Sequence, residues 1–437
     1  MRRLLFFLTN NVNISLLVDQ GIVSAANFVT GLLIGRICSK EQFGLYMLGF
    51  TIITFVINFQ GALITTPYTI FIPRLEGVVR SQYTGSTLVH QLGLSILVVL
   101  FLAITGAFLS LGLGPTGLLS VINSLIFTIT FILLWDYARH VCLATVKIRA
   151  VLVLDSCVAF LQIGGLLLIA YLGLLSAAHA YWAISIACGI ATLSLLISLR
   201  REFAVRFAQT MSDFKVNFST GWWIFASGML WTFKTSLYPW LLAGFHGTVS
   251  TGVWAACVGI VALCNPLLLG LQNSFGPKIA HAYTVEEMEG FRRFSLQTAT
   301  LFGGLIAPFC VVFILFGGPL LTGIYGSKYT GNGFIVSILA LNLLISAPAV
   351  PLSRALFTIG RADIDFKINL ITLLCTLSVG IFLVKSYGII GAAYGLLLSN
   401  VICFVFKYIS IRRLDYSKKG KYPLEPEKLV NKTMGVE

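Results

Sequence analysis

The chain reads as a series of long apolar runs separated by short polar breaks. A helix needs about 20 mostly apolar residues to cross the hydrocarbon of a bilayer. Twelve stretches reach that length, roughly 13–37, 43–66, 88–112, 115–137, 149–172 and 174–199, then 220–244, 249–273, 295–318, 332–357, 367–386 and 389–410. The pattern predicts an all-α polytopic membrane protein. Several breaks on one side, 113–115, 245–248 and 387–388, are hardly more than turns, so no extracytoplasmic catalytic domain is expected.

Internal repeats predict the architecture. LLIGRICSKEQFGLY (32–46) aligns without gaps on WLLAGFHGTVSTGVW (240–254) at an offset of 208, with Gly44 meeting Gly252 and Tyr46 meeting Trp254. YLGLLSAAHA (171–180) aligns on SYGIIGAAYG (386–395) at an offset of 215, with Gly173 meeting Gly388. Arg139 meets Arg354 at that same offset, each closing the fourth span of its half. Six spans per half give both halves one orientation, and parallel repeats of this kind form two lobes with a transport path between them. The expected organisation is a six-helix lobe over 1–205, a second over 206–410, and a basic cytoplasmic tail over 411–437. Alternating access would then work at a cavity between the lobes.

Composition agrees with a membrane protein and excludes a soluble one. Hydrophobic residues make up 57% and charged residues 11% of the chain, against about 25% charged in soluble domains. Mean hydropathy is +0.91. The net charge of +14 does not predict nucleic-acid binding, because the basic residues cluster in the short breaks, where the positive-inside rule expects them. One side collects Arg2, Arg3, Arg74, Arg80, Arg139, Lys147, Arg149, Arg200, Arg201, Arg206, Lys215, Lys278, Arg292, Arg293, Arg354, Arg361, Lys367 and eight more at and beyond the last span. The other side holds only Arg36, Lys40, Lys328 and Lys385. Both termini are therefore expected in the cytoplasm. The start of the chain, with a brief apolar Leu4 to Leu8 before polar Thr9, does not read as a cleavable signal peptide. Nine cysteines without a CxxC spacing or a histidine partner read as small core hydrophobes.

The opening LVDQGIVSAANFVTGLLIGRICSKEQFGLYMLG resembles the polysaccharide-biosynthesis family of Wzx-type oligosaccharide flippases, in the multidrug/oligosaccharidyl-lipid/polysaccharide exporter superfamily. The resemblance rests on Asn27-Phe28, Arg36 and the Phe43-Gly44-Leu45-Tyr46 turn, with QGALITTPYTIF (60–71) and YGIIGAAYGLLLSN (387–400). It implies a flippase that moves an undecaprenyl-pyrophosphate-linked glycan across the bacterial inner membrane for O-antigen or exopolysaccharide synthesis. It also implies a cationic cavity, partnership with a polymerase and glycosyltransferases, and no catalytic role or cofactor.

A charge deep in a span costs about 2.5–3.5 kcal/mol on insertion scales and usually faces a bundle interior or a water-filled cavity. Lys234, near the middle of the seventh span, is the clearest case. Ser227, Trp231, Lys234 and Tyr238 share one helix face by spacing, and Pro239 follows. They are expected to offer a cation to the pyrophosphate and aromatic rings to sugar or lipid, unless Lys234 is a structural partner of Asp19 or Asp155. In the first span Gln20, Ser24, Asn27 and Gly31 form a polar stripe beside Asp19. Asp19 and Asp155 are candidates for a coupling proton or sodium ion, or for countering a basic residue. Asp155 and Gln162 share a face of the fifth span, where interhelical hydrogen bonding is the alternative. Arg139, preceded by Asp136, and Arg354 could form an inner gate or receive a phosphate, or could be ordinary interface charges. Arg36 at the outer end of the first span carries the same two readings.

Other patterns mislead. GLGPTG (112–117) fits a nucleotide-binding spacing but follows a membrane helix rather than a strand, and no P-loop, HExxH or nucleophile elbow is present. The basic tail, including Arg412, Arg413, Lys418, Lys419 and Lys421, reads as a topology anchor near anionic lipid. A lipid II flippase, for which cavity cations are few, and a cation-coupled multidrug exporter, for which Asp19 and Asp155 would matter, stay open beside the leading reading. A membrane glycosyltransferase or polymerase, and a scaffold without transport activity, stand further back.

Overall fold

A computed structural model of the protein describes residues 11–413, apart from 113, 221, 286 and 287. Arg2, Arg3 and the tail beyond Arg413, including Lys418, Lys419 and Lys421, lie outside the described residues, as does the apolar Leu4 to Leu8. Every described element is a helix. The first half holds α1 (Asn11–Ile37), α2 (Lys40–Arg74), α3 (Gly77–Ser110), α4 (Leu118–Ala144), α5 (Ile148–Tyr171) and α6 (Ala177–Ser198). A linker helix (Phe207–Thr220) follows. The second half holds α7 (222–246), α8 (248–285), α9 (Met288–Tyr325), α10 (Gly333–Thr358), α11 (362–387) and α12 (389–412).

Two stretches, 225–285 and 362–412, run as single helical segments of 61 and 51 residues. At 1.5 Å per residue the longer would measure roughly 90 Å, three times the hydrocarbon thickness. Each is broken by one glycine in a non-helical conformation, Gly247 (φ 79°, ψ 168°) and Gly388 (φ 57°, ψ −130°). These breaks fall where the sequence predicts turns, so the ten long apolar segments make twelve helices. Gly173, the repeat counterpart of Gly388, also takes a positive φ of 70°. Only glycine adopts such backbone freely, which explains why the repeat is clearest there.

The helices are apolar around most of their circumference. On α3 a row including Ile96, Leu97, Leu100, Phe101, Ile104 and Phe108 is exposed, as a lipid-facing surface requires. The second helix of each half is interrupted near its middle. In α2 a π-turn at Gly61–Thr65 precedes Pro67, and in α8 a 3₁₀ turn at Ala262–Cys264 precedes Pro266.

By contact the chain divides into two compact units. The first contains residues 1–221 with 239–259 and 321–330, and the second contains 222–238, 260–320 and 331–437. In the first, α4 packs centrally against α3 and α6, burying Tyr137, Leu125, Ile129 and Leu133. In the second, α10 packs along α12, and Leu352, Ala355, Leu356 and Phe291 form a buried cluster with Ile411.

Candidate functional site

The first unit has a buried ionic centre built by three helices. Arg139 on α4 donates from Nε to Asp155 Oδ2 on α5 at 2.6 Å and from Nη2 to Asp19 Oδ2 on α1 at 2.5 Å. Trp135, one turn before Arg139, donates its indole N–H to the other oxygen of Asp155 at 2.7 Å. Both aspartates are about 1% exposed. One guanidinium bridging two carboxylates uses the planar fork that lysine lacks. Asp136 points elsewhere despite its nearness in sequence, accepting from Gln60 Nε2 at 3.2 Å and lying 3.4 Å from His140.

A cavity of about 280 Å³ adjoins this centre within the first unit. Asn27, Tyr46, Thr54, Trp135, Asp155 and Gln162 are among its lining residues. Asn27 is the member of the α1 stripe that faces it, while Gln20 is half-buried. Gln162 is also tied across the interface, donating to Thr30 Oγ1 at 2.7 Å.

The second unit holds a different ionic centre. Lys407 on α12 lies 2.9 Å from Asp365 on α11 and donates to Ser353 Oγ on α10 at 2.6 Å. Ser227 on α7 donates to Asp365, and Asn369 donates to both Ser227 Oγ (2.7 Å) and Asp365 (2.9 Å). Ser227 stands 208 residues after Asp19, the offset of the repeat. Equivalent positions on the first helix of each half therefore feed a buried polar cluster, a carboxylate in one and a hydroxyl in the other.

Lys234 is fully buried. Its ammonium donates to Asn400 Oδ1 at 3.0 Å, and Asn400 in turn donates to Asn342 at 2.8 Å. Among the described residues no carboxylate lies within ion-pair distance of it, and the aspartates proposed as its partners belong to Arg139. The face defined by spacing divides by environment. Ser227, Lys234 and Tyr238 are buried, while Trp231 is half exposed. Tyr238 packs where Gly380 and Gly395 leave room for its ring.

Arg354 is exposed, unlike its counterpart Arg139. Arg36 is exposed and donates from Nη1 to the carbonyls of Gly323 and Ile324, both at 3.1 Å. Sequence reasoning missed Lys407, Asp365, Asn369 and Asn400. Lys407 falls inside the twelfth predicted span, three residues from its end, and that position was the available signal. No group of three or more potential metal ligands occurs among the described residues.

The comparisons extend this picture. A model of the family described as "Polysaccharide biosynthesis protein" matches residues 8–280. The capsular polysaccharide biosynthesis protein CapF of Staphylococcus aureus is 25% identical over 190 residues, 43% of this chain and 48% of the relative. The probable flippase AglR of Haloferax volcanii is 27% identical over 182 residues, 40% of this chain and 38% of the relative. A putative O-antigen transporter of Shigella flexneri is 20% identical over 181 residues, 41% of this chain and 43% of the relative. The matches thus span about half or less of each curated relative. In fold the chain is similar to an inward-facing multidrug-resistance MATE transporter of the MOP superfamily, with a TM-score of 0.75 at 14% identity over 89% of this chain and 94% of that one. It is also similar to a MOP-superfamily transporter of Pyrococcus furiosus, with a TM-score of 0.67 at 12% identity over 91% and 93% of the two chains. Matched over well more than half its length, and all-helical with the fold of MOP-superfamily transporters, the chain belongs to the polysaccharide biosynthesis protein family.

Proposed function

We propose that the chain is a flippase that carries a polyprenyl-pyrophosphate-linked oligosaccharide across the bacterial inner membrane for assembly of a surface polysaccharide, with both termini cytoplasmic. Family membership supplies the class, and the charge of the buried cores supports the cargo. Among the described residues the buried charged groups of the second unit are Lys234, Lys407 and Asp365. Lys407 is neutralised by Asp365, so Lys234 is left as a buried cation held by an amide. An uncompensated cation in a low-dielectric interior favours an anion that can reach it. A pyrophosphate head supplies that charge while its polyprenyl tail stays in lipid. Trp231, half exposed three residues away, would offer its ring face to a sugar.

The first unit has the opposite balance, with Asp19, Asp136 and Asp155 buried around Arg139 and His140. A coupling proton or sodium ion would act here by competing with the guanidinium for Asp19 or Asp155. Partners that make and consume the lipid-linked glycan, glycosyltransferases and a polymerase, follow from the same reading.

A cation-coupled multidrug exporter is the second reading, favoured by the aromatic and acidic lining of the first unit's cavity. Against it, both carboxylates that line this cavity are already engaged, Asp155 with Arg139 and Trp135, and Asp136 with Gln60 and His140.

The deciding experiment follows lipid-linked intermediates in cells depleted of the protein. A membrane-impermeant glycan probe applied to intact and opened vesicles reads their sidedness. Depletion is expected to trap the pyrophosphate-linked glycan inside, and Lys234→Ala is expected to fold yet fail to restore export. Normal intermediates on depletion would sink the flippase reading in favour of drug efflux.

A further inference from the structure

The sharpest close approach in the first unit joins two segments that the repeat relates to each other. Gly44 lies one turn into α2, and Gly252 lies one turn into α8, 208 residues later. A methyl group on Gly44 would overlap the carbonyl oxygen of Thr248 and lie 2.9 Å from the Gly252 nitrogen. A methyl group on Gly252 would overlap the carbonyl oxygen of Lys40 and lie 3.1 Å from the Gly44 nitrogen. Lys40 and Thr248 are themselves repeat partners, so the contact is reciprocal: each glycine faces the carbonyl four residues before the other. Small residues spaced this way let membrane helices touch backbone to backbone, with Cα–H groups against carbonyls.

A set of polar contacts surrounds this crossing. Arg36 donates to the carbonyls of Gly323 and Ile324, and Lys328 donates to those of Arg36 (3.1 Å) and Cys38. Tyr329 donates to Gly35 at 3.1 Å, and Tyr325 fills the space that Gly35 and Gly259 leave empty. These bonds run from side chains to main-chain carbonyls, and the buried ring of Tyr325 packs beside the crossing against Phe43, with ring centroids 5.8 Å apart.

We infer that the Gly44/Gly252 crossing, latched by Arg36 and Lys328, is the outer gate of the transport path, a joint that must open to release cargo on the side opposite the termini. The inference rests on the transport reading of the chain and on the orientation given by the charge count, not on the identity of the cargo. The glycines act as positioning residues, because only a bare backbone lets the gate seal.

The test uses the full-length protein in sealed vesicles of known sidedness, with Cys257 kept as the single cysteine. Cys257 is buried one turn beyond Gly252, and a membrane-impermeant maleimide applied from outside reports whether the joint is open. The variant Gly44→Ala/Gly252→Ala is expected to raise the labelling rate at least tenfold and to abolish export. Should that variant fail to fold, Arg36→Gln/Lys328→Met adds no bulk and is expected to raise labelling about threefold. Labelling unchanged in a monodisperse variant, or increased only from the cytoplasmic side, would overturn the gate. Increased outside labelling with lipid-linked glycan export never detected would instead remove the cargo and leave the gate standing.

Discussion

The ammonium of Lys407 lies 2.9 Å from the carboxylate of Asp365, and both groups are sealed inside the second unit. Removing one member of such a pair strands the other, at about 3–5 kcal/mol, whereas replacing both by apolar groups is often nearly neutral. Lys407→Met alone is therefore expected to lower the unfolding midpoint of the purified protein markedly. Asp365→Leu/Lys407→Met should recover most of the loss. A single variant as stable as the parent would contradict this account.

Arg139 should be irreplaceable even by lysine. Its guanidinium spans Asp19 and Asp155 with two different nitrogens, which a point charge on a flexible stem cannot reproduce. Arg139→Lys and Arg139→Gln are both expected to reduce export at least tenfold. Asp155→Asn, which keeps the Asp19 contact, should be milder. A fully active Arg139→Lys in an export assay would show that bridging is dispensable.

The helices and their turns were legible in the sequence because length, apolarity and glycine each have one dominant physical meaning there. Gly173, Gly247 and Gly388 sit where the apolar runs break, and each adopts a positive φ. The ionic pairing was less legible. Asp19 and Asp155 stood out as charges in apolar runs, but nothing in their spacing links them to Arg139 across 120 and 16 residues. Asp136, one turn before Arg139 in the sequence, does not join it, since its carboxylate reaches Gln60 on α2. Lys407 and Asp365 lie near the ends of predicted spans, where a charge ordinarily snorkels to the interface. Only the tertiary fold turns them inward.

The turn glycines should behave alike in both halves. Gly173→Ala and Gly388→Ala force a side chain into left-handed backbone, at about 1–2 kcal/mol each. Gly228, within α7 and with open space around its Cα, is the control. Its replacement by alanine should be neutral or stabilise by up to about 1 kcal/mol. Thermal unfolding in one detergent would rank the three, and an equally tolerant Gly388 would contradict the turn geometry.

Gln162 should matter less than its burial suggests. Its bond to Thr30 joins α5 to α1 at 2.7 Å, yet interhelical hydrogen bonds in membranes average about 0.6 kcal/mol. Gln162→Leu is expected to shift stability by about 1 kcal/mol or less and to keep more than half of export. A larger loss of export with unchanged stability would move Gln162 from scaffold to cargo contact.

Among the described residues, each buried ion pair is internal to one half of the sequence: Asp19, Arg139 and Asp155 to the first, Asp365 and Lys407 to the second. Around Gly44 and Gly252 the contacts are bare backbone, hydrogen bonds from Arg36, Lys328 and Tyr329 to carbonyls, and the packed ring of Tyr325. Opening the proposed joint would therefore break packing and hydrogen bonds but no buried ion pair among the described residues, and such pairs attract strongly in a medium of low dielectric. The barrier to such an opening would then be set by packing and hydrogen bonds rather than by the separation of buried charge.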